Sequence, residues 1–91
     1  MPLSDPGPAG REQVAARFRG LLADARRRGC IDPRLSDGEQ QIIAALLDPA
    51  GPSTDACAAI ATALWGLSGA EADAGAGYPR TWAFLRDLAR C

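Results

Sequence analysis

The chain of 91 residues contains no histidine and no lysine. Histidine titrates near neutral pH and is the commonest metal ligand in proteins. Its absence excludes Ser-His and Cys-His nucleophile pairs, and zinc sites built on imidazole. The absence of lysine excludes Schiff-base chemistry and the phosphate-binding loop that ends in Gly-Lys-Ser/Thr. We therefore predict that the protein is not an enzyme and that it uses no metal and no cofactor.

Asparagine is also absent, and all ten basic residues are arginine. Because lysine and asparagine use AT-rich codons, this composition indicates a GC-rich, bacterial genome rather than selection at a site. The net charge of −1 is too small to attract nucleic acid or an anionic membrane through the overall field. We therefore predict a bacterial protein for which nucleic acid is an unlikely partner.

The sequence has no long hydrophobic run, since no window approaches the ~18 apolar residues of a membrane span. The first eight residues have neither the basic start nor the apolar stretch of a signal peptide. Three cysteines, Cys30, Cys57 and Cys91, lie far apart and form no C-x-x-C pair. They are most simply free thiols. We expect a cytoplasmic protein with no membrane contact.

The first ten residues contain three prolines and two glycines, which predicts a disordered N-terminal tail over 1–10. A single helical domain is predicted over 11–91. Its first helix begins at Arg11 and ends at Gly29, a residue suited to the left-handed cap. Its apolar residues recur at helical spacing: Val14, Phe18, Leu21, Leu22 and Ala25.

The second helix starts at Ser36, because Ser36 and Glu39 have the spacing of a reciprocal capping box. It ends near Asp48, since Pro49 disfavours the helical conformation in the residue before it. The third helix is capped by a polar residue within 53–55 and ends at Gly66 or Gly69. Its apolar stripe comprises Cys57, Ile60, Ala61 and Leu64.

The segment 69–77 is rich in glycine and alanine and is expected to be a loop. Pro79 is favoured at a first helical position, and it opens the last helix. The apolar residues of that helix are Trp82, Leu85, Leu88 and Ala89. No alternating strand pattern occurs. The sequence therefore predicts an all-α domain of about four helices, arranged as a small bundle or an orthogonal array.

Trp82 and Phe84 cannot both face one narrow core stripe, so at least one aromatic residue is expected at the surface. Exposed tryptophan is a typical anchor of protein interfaces. We therefore predict a small interaction module that binds another protein or itself, as an adaptor, docking, assembly or inhibitory part. Its predicted partner-binding residues on the last helix are Tyr78, Arg80, Trp82, Phe84 and Arg86.

The alternative is a nucleic-acid-binding regulator of the helix-turn-helix type. The segment 60–68 loosely resembles the first helix and turn of that motif. The segment 69–73, where a recognition helix would begin, is acidic and glycine-rich rather than rich in arginine and amides. The arginines available for this alternative are Arg17, Arg26, Arg27 and Arg28, and no aromatic residue interleaves with the last three. We therefore rank it second.

Overall fold

The computed structural model describes residues 5–51 and 53–90. Within these ranges the chain forms four helices and no strand: α1 (Gly7–Arg28), α2 (Asp37–Leu47), α3 (Thr54–Gly75) and α4 (Pro79–Ala89). The predicted all-α architecture is confirmed. None of the helices among these residues is both long enough and apolar enough to cross a membrane.

Helix α1 begins at Gly7, four residues before the predicted start at Arg11. Residues 7–10 of the predicted tail are therefore helical, and residues 1–4 lie outside the described residues. The early start has a local cause, because the Asp5 side chain accepts a hydrogen bond from the Gly7 amide at 2.8 Å. The helix ends at Gly29 in the left-handed conformation, with φ 76°, as predicted.

Helix α2 begins with the predicted capping box. The Glu39 amide donates to Ser36 Oγ at 3.2 Å, and the Ser36 amide donates to Glu39 Oε1 at 3.2 Å. The helix ends at Leu47, and Asp48 is extended, with ψ 123°. This end agrees with the steric effect of Pro49 on the residue before it.

Helix α3 is longer than predicted. It starts after Ser53, whose hydroxyl accepts from the Ala56 amide at 3.1 Å, and it continues to Gly75 with a kink at Gly66. The prediction of a loop over 69–77 is wrong for residues 69–75. Two effects favour a helix there: the segment is rich in alanine, and its residues Ala70 and Asp73 are buried against the rest of the fold.

One hydrophobic cluster joins all four helices. Cys57 is completely buried in it, as the apolar stripe of the third helix predicted, and burial raises the pKa of its thiol. Cys30 is an exposed free thiol. The largest side chains of the cluster are Phe18, Leu22, Ile42, Ile43, Leu46, Ile60, Leu64, Trp65, Leu85 and Leu88.

Candidate functional site

Trp82 and Phe84 are both half-buried, and they lie on opposite flanks of α4. Two positions along a helix correspond to a rotation of about 200°, so the two rings point away from each other. Thr81, Leu85 and Leu88 form the fully buried stripe of the helix. The structure therefore does not bring the five predicted partner-binding residues together into one surface.

The Phe84 flank faces α1 across a shallow groove of about 210 Å³. The buried side chains of Ala15 and Leu88 contribute to its lining. Glu12 and Arg19 also line it and form an ion pair with each other. The charges of this groove are thus largely balanced within the chain.

The Trp82 flank faces the turn between α2 and α3. A Cβ added at Gly51, where φ is +94°, would lie 4.0 Å from the Trp82 ring. The Arg86 guanidinium lies over the ring, with Cζ 5.3 Å from the ring centroid. This distance is within the range of a cation–π interaction. Trp82 therefore lies close to the turn and under an exposed cation, and part of the ring is open to solvent.

Next to this flank lies a second groove of about 240 Å³, which we call the acidic groove. It is formed by the end of α2, the following turn and the start of α3. Asp48 and Asp55 line it, and neither forms an ion pair with any residue in the described ranges. Its lining consists of Gln41, Ala44, Ala45, Asp48, Gly51, Ser53 and Asp55.

The acidic groove belongs to a part of the chain that has no cation. Residues 35–79 contain six carboxylates and no arginine, while the ten arginines all lie within 11–34 and 80–90. The sequence prediction missed this segregation, although it is visible in the printed chain. The fold places a cation from one part, Arg86, beside the groove formed by the other part, because Trp82 and Gly51 are neighbours.

Tyr78 and Arg80 lie at the start of α4, next to Trp65. Tyr78 has a left-handed backbone, with φ 61°, and its amide donates to the Asp73 carbonyl at 2.7 Å. The Arg80 guanidinium lies over the Trp65 ring at 3.9 Å, and that of Arg11 lies 5.1 Å from the ring centroid. These contacts tie the first turn of α4 to α3.

Asp73 is the buried polar residue that the sequence prediction missed. Its carboxylate accepts hydrogen bonds from the Arg80 amide at 3.0 Å, the Thr81 amide at 3.0 Å and the Thr81 hydroxyl at 2.5 Å. Thr81 Oγ1 in turn accepts from Trp65 Nε1 at 2.9 Å. The carboxylate thus satisfies the free amides at the start of α4, where the residue before Pro79 provides no side-chain cap.

The Asp73 carboxyl is held in its ionised form. Burial by itself would raise its pKa, but the hydrogen bonds from Thr81 and from the Arg80 amide outweigh burial, and the pKa is lowered. An ionised group with three internal donors is suited to holding a helix in place. We assign Asp73 a structural role.

The arginines of the nucleic-acid alternative do not form one surface. Arg17 and Arg26 are nine residues apart on α1, about two and a half turns, so they lie on opposite sides of the helix. Arg17 pairs with Glu39, and both Arg27 and Arg28 pair with Asp24. Arg26 donates to the Ala89 carbonyl at the end of α4, at 3.3 Å.

Among the residues that the structure describes, no group of three or more cysteine, aspartate and glutamate side chains is placed to hold a metal ion. No family model, characterised protein or solved structure matches this chain. Its function is therefore argued from its own surfaces.

Proposed function

We propose that this chain is a non-enzymatic helical module that binds a protein partner, as an adaptor, docking, assembly or inhibitory part. The contact surface in this proposal is the Trp82 surface, which we define as Trp82, Arg86 and the adjoining acidic groove. The observation that carries the proposal is a half-buried tryptophan that lies under an exposed arginine, near two carboxylates, Asp48 and Asp55, that form no ion pair in the described chain; Asp48 accepts a hydrogen bond from the Ala50 amide at 2.8 Å.

The physical basis is the energetics of interfaces. Tryptophan and arginine dominate binding free energies because a large ring and a planar cation are desolvated together in a fitted contact. Trp82 is already half-buried and lies under Arg86, so we expect a partner that covers the ring to order few further rotamers. Polar groups at the edge of the surface then provide specificity rather than affinity.

The remaining predicted residues have different parts in this proposal. Tyr78 and Arg80 support the start of α4 through Asp73 and Trp65, so they hold Trp82 in position. Phe84 lies on the opposite flank and is not part of the Trp82 surface. It supplies a matched aromatic control for the experiment below.

The carboxyl groups with altered pKa values support a non-enzymatic function. A general acid or base works best with a pKa near the working pH. Hydrogen bonds from Arg34 hold the pKa of Asp32 at about 2. The pKa values of Glu39 and Asp73 are also lowered, the first mainly by Arg17 and the second by the hydrogen bonds described above. These carboxylates are ionised throughout the physiological range and serve as caps and ion partners.

The test compares three alanine variants of the whole chain as immobilised baits, after circular dichroism has shown that each is folded. The proteins that the immobilised unaltered chain retains are quantified, and the most abundant of them is purified for calorimetry. We expect Trp82→Ala to weaken binding of the purified partner by at least about tenfold, since truncation of an interface tryptophan costs about 2 kcal/mol or more of binding free energy. Phe84→Ala and Arg27→Ala should change it by less than about threefold. A larger loss for Arg27→Ala than for Trp82→Ala would contradict the proposal.

The nucleic-acid alternative is tested on heparin and on immobilised DNA. For the interaction module we expect weak retention that shows little dependence on salt. Strong retention with a steep salt slope, reduced in the Arg27→Gln and Arg28→Gln double variant, would favour the regulator instead. The proposal also places the module in the cytoplasm, which the free thiols of Cys30 and Cys57 support.

A further inference from the structure

We infer that the Trp82 surface pairs with a second copy of this chain, in a two-fold symmetric dimer in which Arg86 of each protomer enters the acidic groove of the other. This inference rests on the proposed function, because it uses the same surface and names the partner. Three observations carry it: the positions of Arg86 and the acidic groove, their lack of ion pairs within the described chain, and the composition of the groove.

The first observation is adjacency. Gly51 lines the acidic groove, and a Cβ added there would lie 4.0 Å from the Trp82 ring, so the ring is close to the groove. The same ring lies under the Arg86 guanidinium. In the inferred dimer the cation and the carboxylates share one face of the molecule, with the tryptophan between them. A rotation of 180° about an axis through the tryptophan region exchanges the two parts. Each protomer then presents its cation to the carboxylates of the other, which is the geometry of a closed, isologous contact.

The second observation is the charge that this face leaves unbalanced. Within the described ranges Asp48 and Asp55 form no ion pair, and Arg86 also forms none and lies over the Trp82 ring. By contrast, Arg17, Arg19 and Arg34 each pair with a carboxylate of their own chain. Residues 35–79 contain no arginine, and no arginine of the other described residues pairs with Asp48 or Asp55. Arg86 of a second copy would supply the counter-charge for the acidic groove.

The third observation is the composition of the groove. Its lining includes the small apolar residues Ala44 and Ala45 together with Asp48 and Asp55. Arginine combines an apolar stem with a planar cation, so such a groove accepts both parts of the side chain. The two Trp82 rings then meet near the two-fold axis, where water is most completely excluded.

The experiment reverses the charge of Arg86 in one variant and the charge of the acidic groove in another. One variant carries Arg86→Asp, and the other carries Asp55→Arg together with Asp48→Arg. Sedimentation velocity on the whole chain, with a reductant present to exclude disulfide dimers, measures the dimer dissociation constant. For the unaltered chain we expect a dimer that dissociates on dilution and weakens as salt is raised. Each variant alone should dimerise at least about tenfold more weakly, because its two parts now repel each other.

Mixing the two variants is the decisive step. In the mixture both contacts again join opposite charges, so a 1:1 heterodimer should form with an affinity within about threefold of the unaltered dimer. The matched controls are Arg90→Gln, which removes an exposed arginine just after the end of α4, and Asp37→Asn, which removes an exposed carboxylate from the start of α2. Both should leave the dimer unchanged within about twofold.

Because reversal at Asp48 and Asp55 alters two helix ends, the neutral Asp48→Asn and Asp55→Asn double variant is measured in parallel. It should retain the fold and still weaken the dimer. A chain that remains monomeric at about 1 mM and low salt would overturn the inference. It would also be overturned if the mixed variants did not associate, or if the control variants weakened the dimer as much as the charge-reversal variants do. None of these results decides the proposed function, since binding of a different protein to the Trp82 surface is measured separately by the bait variants.

Discussion

Replacement of Asp73 by alanine is the sharpest test of how this fold is held together. The substitution removes the acceptor of three hydrogen bonds, two from amides at the start of α4 and one from the Thr81 hydroxyl. A hydrogen bond to a charged group contributes roughly 1.5–3 kcal/mol, and part of this is recovered when water reaches the more accessible amide. We therefore expect Asp73→Ala to lower the free energy of unfolding by about 3 kcal/mol.

That loss is large for a domain of this size, whose total stability is on the order of 5–10 kcal/mol. It corresponds to a fall in Tm of roughly 12 °C or more. Asp73→Asn keeps one acceptor oxygen and should cost about half as much. Glu71→Ala, at an exposed position of the same helix, is the matched control and should change stability by less than ~0.5 kcal/mol.

The assay is urea unfolding followed by circular dichroism at neutral pH, with the slope against denaturant compared between variants. An unchanged slope with a lowered midpoint is expected. If Asp73→Ala and Glu71→Ala had the same midpoint within error, the carboxylate would not hold α4, and our explanation of the helix at 69–75 would be wrong.

The pKa of Asp73 is lowered on folding, so its stabilising effect is complete above the ordinary aspartate pKa of about 3.9 and is lost as pH falls through the lowered value. The free energy of unfolding should therefore fall less steeply with decreasing pH in Asp73→Asn than in the unaltered chain. Gly66→Ala should cost about 2 kcal/mol in urea unfolding, because the position is buried with φ 79° and ψ 173°, a conformation that alanine adopts only with strain; an unchanged midpoint would refute this. Ser36→Ala removes one half of the capping box and should lower stability by about 1 kcal/mol, measured by calorimetry, whereas Ser68→Ala at an exposed position of α3 should have no effect.

The helix ends that could be predicted are those fixed by neighbouring residues. The residues that fix these ends are Ser36 with Glu39, Gly29 and Pro79. Each acts within one turn of its own helix, so the neighbouring sequence is enough to predict its effect. The helix at 69–75 could not be predicted in this way. Its support is the contact of Asp73 with the start of α4, which depends on how α3 and α4 meet.

The candidate surface was predictable in part. Helical spacing correctly implied that Trp82 and Phe84 diverge, but it could not say which neighbour each ring meets. Gly51, which the Trp82 ring approaches, lies about thirty positions earlier in the chain. The grouping of Asp48 with Asp55 around a turn was accessible from the sequence, as was the absence of arginine over 35–79. Only the fold places Arg86 beside them.

Self-association through the Trp82 surface can be located without any substitution by residue-resolved chemical shifts measured over a dilution series. We expect the concentration-dependent shifts to be concentrated at the Trp82 indole, Arg86, Gly51 and Asp55, while the Trp65 indole, which donates to Thr81 inside the fold, stays constant. Shifts confined to the groove between α1 and α4, or to the arginine-rich end of α1, would refute the assignment of this surface.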